Sequence, residues 1–77
     1  MPHIIVKMFA GRSDEVKQQL AHALTKTLID TLGSSEKSIS VGIEDVAPDD
    51  WGATVYRPDI AAKLDTIFKA PGYDPPK

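Results

Sequence analysis

Between Val16 and Leu32 an apolar residue returns at every fourth position, Val16, Leu20, Leu24, Leu28 and Leu32, with Ala23, Thr27 and Thr31 beside them. This recurrence constrains the chain more than any other feature, because it is the period of a helix with one apolar face. Lys17, Gln18, His22, Lys26 and Asp30 lie mostly off that face. Ser13 can cap the exposed amides at its start, and Asp14 and Glu15 suit the positive end of the helix dipole. A full capping box is absent, since Val16 stands where Glu or Gln would. Gly33 fits the left-handed position past the last turn, so the pattern predicts a helix over roughly 13 to 32.

Strand-like segments flank this helix. From Pro2 to Phe9 the residues are β-branched and aromatic enough for a strand, and Pro2 suits its first position because it lacks a donor. Ile4, Val6 and Met8 share one face, Ile5 and Phe9 the other, as in a strand covered on both sides. Gly11 breaks it. After a polar loop from Ser34 to Lys37, Ile39, Val41 and Ile43 alternate with Ser38, Ser40, Gly42 and Glu44, a second strand. Strand, crossover helix and strand make a right-handed βαβ unit with parallel strands, and the fold class is α+β.

A chain of 77 residues without cysteine is one domain at most, with residues 2–52 as the βαβ core and 53–77 as a C-terminal extension. It cannot be stapled by disulfides, and two strands alone are barely stable. The sheet is therefore expected to continue into another subunit, giving four strands or more. Ala47 to Gly52 reads as a turn or a single helical turn that puts Trp51 in a loop, and residues 53 to 56 as extended. Pro58 suits the first turn of a short helix whose stripe is Ile60, Ala61, Leu64, Ile67 and Phe68, ending near Pro71-Gly72. The tail from Tyr73 to Lys77 is expected to pack loosely.

Composition removes whole classes of function. The formal net charge is -2, from 9 basic and 11 acidic residues spread along the chain. There is no basic face for nucleic acid. The apolar run at Ile4 to Met8 is too short for a membrane span or a signal-peptide core, and the chain reads as cytoplasmic. No glycine-rich phosphate loop is present. His3 and His22 form no metal-ligand spacing with a carboxylate; His22 reads as a solvated helix residue and His3 as a strand residue. No metal and no cofactor are expected.

What remains is an amine. If Met1 is removed, Pro2 carries a free secondary amine; with Met1 retained, the same nitrogen is an amide without usable basicity. A terminal α-amino group titrates near pH 8, and an apolar pocket or a nearby cation lowers it further, because both disfavour the protonated form. Such a group is a general base close to working pH. Pro2 at the mouth of an apolar strand, with Arg12 returning near it, meets both conditions.

Pro2 leading into a short apolar strand, then Gly11-Arg12-Ser13-Asp14-Glu15, a long helix, Ile39-Ser40-Val41-Gly42-Ile43 and the pair Trp51-Gly52 together resemble the 4-oxalocrotonate tautomerase family. The resemblance covers about residues 2 to 52. It implies a dimer with a four-stranded sheet backed by two helices, and Pro2 as the acid-base catalyst that moves a proton on an enolpyruvate or 2-hydroxydienoate. It also implies that Arg12 binds the substrate carboxylate, where its charge suits an enolate, and that Trp51 makes the pocket apolar. Two plainer roles stand beside these: Arg12 neutralising the acids at the helix start, and Trp51 serving as a packing anchor.

The chain departs from the family pattern twice. Where members using dicarboxylates have a second arginine, this chain has Ser40, and losing a charge-assisted bond costs roughly 1.5 to 3 kcal/mol, or one or two decades of affinity. Monocarboxylates such as phenylenolpyruvate are therefore the expected substrates, unless Arg57 restores the charge. The second departure is the C-terminal extension, which could cover the surface that joins dimers into hexamers in shorter members, so a homodimer is favoured. The competing functions are a non-catalytic dimeric interaction module of the same fold, and a decarboxylase or hydratase of the same superfamily. Ala10 offers no acidic partner for water activation.

Overall fold

Pro2 has no amide proton to give a ladder, and the first strand begins one residue after it, at His3–Phe9 (β1). The computed structural model describes residues 1–76. They fall into two compact units, Met1–Asp45 and the residues from Val46 onward.

In the first unit, β1 is followed by a helix at Asp14–Leu32 (α1) and a second strand at Ser40–Val46 (β2), which crosses the unit boundary by one residue. β1 and β2 are hydrogen-bonded neighbours in a parallel pair. The ends of α1 follow the sequence. The Ser13 hydroxyl oxygen accepts from the Val16 amide at 3.2 Å, and Gly33, left-handed at φ 71°, returns its amide to the Ile29 carbonyl. Gly11 at φ 129° turns the chain between β1 and α1 in a conformation that a side chain would strain.

The inward face of α1 is rotated from the expected stripe. Leu20, Leu24 and Leu28 are half-buried as expected, but their inward neighbours are Lys17, Ala21 and Thr25, whereas Ala23, Thr27 and Thr31 are exposed. Thr25 can turn inward because its hydroxyl donates to the Ala21 carbonyl at 2.8 Å. From the same row, Lys17 reaches Asp45 on β2 at 2.8 Å, so this face of α1 looks toward the sheet.

Side chains alternate across a strand, and in β1 the even row of Ile4, Val6 and Met8 is half-buried while His3, Ile5 and Phe9 are exposed. In β2, Val41 and Ile43 share a face with Asp45, on the side of α1. Within the first unit α1 thus covers one side of the sheet, and Ile5 and Phe9 stand 49% and 45% exposed on the other. No side chain of α1 is fully buried.

The second unit departs further from expectation. A turn at Pro48–Asp50 leads at once into a helix at Gly52–Ile60 wound with wide i→i+5 bonds, so residues 53 to 56 are helical, not extended. Pro58 lies inside this helix, not in the first turn of a later one. Its missing N–H would orphan the Thr54 carbonyl of an ordinary helix, and wider winding relieves the clash of its ring with that turn. The Ala61 amide correspondingly reaches both the Tyr56 and Arg57 carbonyls. The chain then tightens at Ala61–Thr66 with a break at Lys63, and Leu64 and Phe68 of the expected stripe are exposed. Val46 and Val55 are the buried apolar side chains among the described residues.

Candidate active site

The parallel register places the start of β1 beside the start of β2. The Pro2 carbonyl accepts from the Ser40 amide at 3.2 Å, which fixes the half-buried proline at the end of the ladder. On the next residue, His3 Nδ1 lies 2.6 Å from the Ser40 hydroxyl oxygen. Pro2, His3 and Ser40 are therefore one cluster, with Met1 fully exposed before it. Ser40 reads from sequence as a substrate-binding residue on the second strand, in the place of a family arginine. His3 reads from sequence as a strand residue with no role, and the register of a parallel pair is the signal that could have found it.

Arg12 does not return to Pro2 within a chain. β1 is extended over seven residues, so its ends are about 20 Å apart at about 3.3 Å per residue. Arg12 is anchored at the far end, its Nη1 donating to the Phe9 carbonyl at 3.4 Å. The correction follows from the straightness of the strand: Gly11 reverses the chain into α1 only after β1 has carried it away from Pro2. A site that uses both residues must take them from different chains.

Trp51 and Arg57 belong to the second unit. Trp51 is half-buried, and its indole N–H donates to the Tyr73 hydroxyl at 3.0 Å. The Tyr73 ring also meets Tyr56, with centroids 6.1 Å apart. The expected loose tail is thus corrected at Tyr73, which is held by two aromatic partners; Lys77 lies outside the described residues. The Arg57 guanidinium lies over Gly52, since a Cβ on Gly52 would sit 3.3 Å from Arg57 Nη1 and 3.3 Å from Pro76 Cβ. A side chain at Gly52 would crowd both neighbours.

Among the described residues there is no group of three or more His, Asp or Glu side chains that could hold a metal ion, and no helix long and apolar enough to cross a membrane. The chemistry on offer is that of an imidazole, a hydroxyl, two guanidinium groups and, once Met1 is removed, a secondary amine.

Comparison with known proteins gives this cluster a context. The family model described as tautomerase enzyme matches residues 2–58, beginning at the proline. A probable tautomerase from Xylella fastidiosa is 48% identical over 73 residues, covering 95% of this chain and 89% of the relative. Tautomerase PptA from Cronobacter sakazakii is 43% identical over 75 residues, covering 96% and 99%. Among solved structures, YwhB, a homologue of 4-oxalocrotonate tautomerase, is similar at 42% identity and a TM-score of 0.60, covering 62% of this chain and 79% of that one.

Proposed function

Because the chain belongs to the tautomerase family, in a longer form with a C-terminal helix, and is an isomerase, we propose that it interconverts enol and keto forms of 2-keto acids with Pro2 as the general base. The observation that carries this reading is the anchoring of Pro2 beside Ser40 at 3.2 Å, at the residue where the family match begins.

With Met1 removed, the Pro2 amine takes the proton of an enol hydroxyl. The electron pair left on oxygen forms the carbonyl as the double bond shifts, and the ammonium returns the proton to the carbon that has gained electron density. An apolar pocket or a guanidinium nearby would favour the neutral form of this amine. In this reading Arg12 comes from a neighbouring subunit, because its own strand holds it about 20 Å away. There it pairs with the substrate carboxylate and steadies the developing enolate.

The two-stranded sheet, too small to be stable alone, supports a homodimer in which it is extended to four strands by a second copy. Ser40 binds the substrate's far end with a hydroxyl in place of a charge, which favours monocarboxylates such as phenylenolpyruvate. Trp51 supplies apolar surface, and Arg57 is the one further guanidinium available to a second carboxylate. Absence of cysteine agrees with a cytoplasmic site of action.

The test is ketonisation of phenylenolpyruvate by the wild type, with Met1 removal verified by intact mass, against Pro2→Ala. Losing a positioned base should slow the reaction by about a hundredfold or more. Equal rates would overturn the assignment.

A further inference from the structure

Gly52 and Arg57 are five residues apart, and the winding of the helix that carries them brings them together. In an ordinary helix of about 3.6 residues per turn, a side chain five positions on points about 140° away around the axis, and the neighbours of residue 57 are residues 53 and 54. Gly52–Ile60 is wound with i→i+5 bonds instead, so residues five apart come round to one face. The Arg57 guanidinium accordingly lies over Gly52, with Nη1 3.3 Å and Cζ 3.8 Å from where a Cβ would stand. Trp51 and Tyr56 are likewise five apart, and Tyr73 reaches both. Its hydroxyl accepts from the indole at 3.0 Å, and its ring centroid is 6.1 Å from that of Tyr56.

Pro58 is the residue that excludes the ordinary winding. Its ring would clash with the Thr54 carbonyl, and it has no N–H to give that oxygen. The Pro58 side chain is exposed, so packing does not hold it there; its influence acts through the backbone. We propose that Pro58 is a positioning residue for substrate selectivity: by holding the helix wide, it keeps the Arg57 guanidinium over Gly52, on the turn that begins at Trp51, for a second carboxylate on the substrate. This deepens the reading of Arg57 as the cation for such a group and rests on it. Without the proline the helix tightens, Arg57 moves over Ala53 and Thr54, and the cation leaves the turn that carries the indole.

The experiment compares wild type, Arg57→Ala, Pro58→Ala and the double variant on a matched pair, a 2-hydroxydienoate and the 2-hydroxydienedioate in which a second carboxylate replaces the terminal methyl. Alanine restores the amide N–H and is the best helix former, so Pro58→Ala should fold with an ordinary winding. It should raise KM for the dicarboxylate several-fold, in the direction of Arg57→Ala, while kcat for both substrates and KM for the monocarboxylate stay within about twofold. In the Arg57→Ala background the same change should leave the ratio of the two KM values where it is, because no guanidinium remains to be placed. A merely structural loss would impair both substrates alike and add to the effect of Arg57→Ala. If Arg57→Ala raises the ratio and Pro58→Ala does not, or if the two shifts add in full, the proposal is overturned and the reading of Arg57 stands. A flat ratio in Arg57→Ala removes that reading, and the proposal with it.

A second readout does not depend on turnover. Proton NMR should show contacts between the Gly52 α-protons and the Arg57 side chain in the wild type, replaced in Pro58→Ala by contacts between Arg57 and the Ala53 methyl. Gly52 contacts that persist in Pro58→Ala overturn the proposal whatever the kinetics.

Discussion

Lys17 Nζ on the first turns of α1 sits 2.8 Å from a carboxylate oxygen of Asp45 on β2, a bond between residues 28 positions apart. It joins the helix to the far end of the second strand on the covered side of the sheet. The hydrogen bond that the Lys17 ammonium donates to Asp45 holds its pKa above the ordinary range, working against desolvation and helped by the charges of Asp45 and Asp14.

A cation whose pKa is higher in the folded state adds stability that is fully present below the unfolded value of 10.5 and lost as pH rises through the folded value. Denaturant midpoints should therefore fall more steeply above pH 10.5 in the wild type than in Lys17→Met. Parallel curves for the two would show that the pair adds nothing to stability.

Separating Pro2 from Arg12 along β1 makes a prediction about mixtures. Pro2→Ala and Arg12→Ala proteins are each expected to be nearly inactive, yet unfolding and refolding them together should restore activity. A mixed dimer has one site carrying both changes and one carrying neither, so random pairing gives about a quarter of wild-type activity. No recovery would mean that the two residues do not serve one site from different chains.

Tyr73 gives the indole of Trp51 a hydroxyl to bond, at 3.0 Å. Tyr73→Phe keeps the ring against Tyr56 and removes that acceptor, so a loss of about 1 kcal/mol is expected from chemical denaturation. Trp51 emission should shift at the same time. Unchanged emission and midpoint would mean that the tail does not hold the indole.

Arg57 is exposed, with its guanidinium over Gly52. If it takes the substrate's second carboxylate, Arg57→Ala should raise KM for dicarboxylates several-fold to about tenfold while sparing monocarboxylates, the lower figure reflecting screening by solvent. Unchanged kinetic constants for both would remove Arg57 from the site.

Local signals made the first unit legible. Ser13 and Gly33 bound α1 where their cap chemistry says, because capping depends on a few neighbouring atoms. The parallel pairing follows from strand, helix and strand in order, and Pro2 before β1 from its missing donor. Relationships set by register or by long straight elements were not legible. That His3 meets Ser40 depends on how two strands slide against each other, and that Arg12 lies far from Pro2 depends on β1 staying extended. In the second unit Pro58 reads as a helix start because ordinary helices exclude proline beyond the first turn, and wide winding sets that rule aside.

On the proposed reading, β1 acts as a ruler. Its seven residues hold the base at one end of a stiff rod and the carboxylate-binding cation beyond the other, a gap that no side-chain motion closes. A freshly made single chain is then catalytically mute, and turnover becomes a readout of assembly. Dilution should silence the enzyme before it unfolds it, and a substitution that weakens association should look, in an activity assay, like a lost catalytic group.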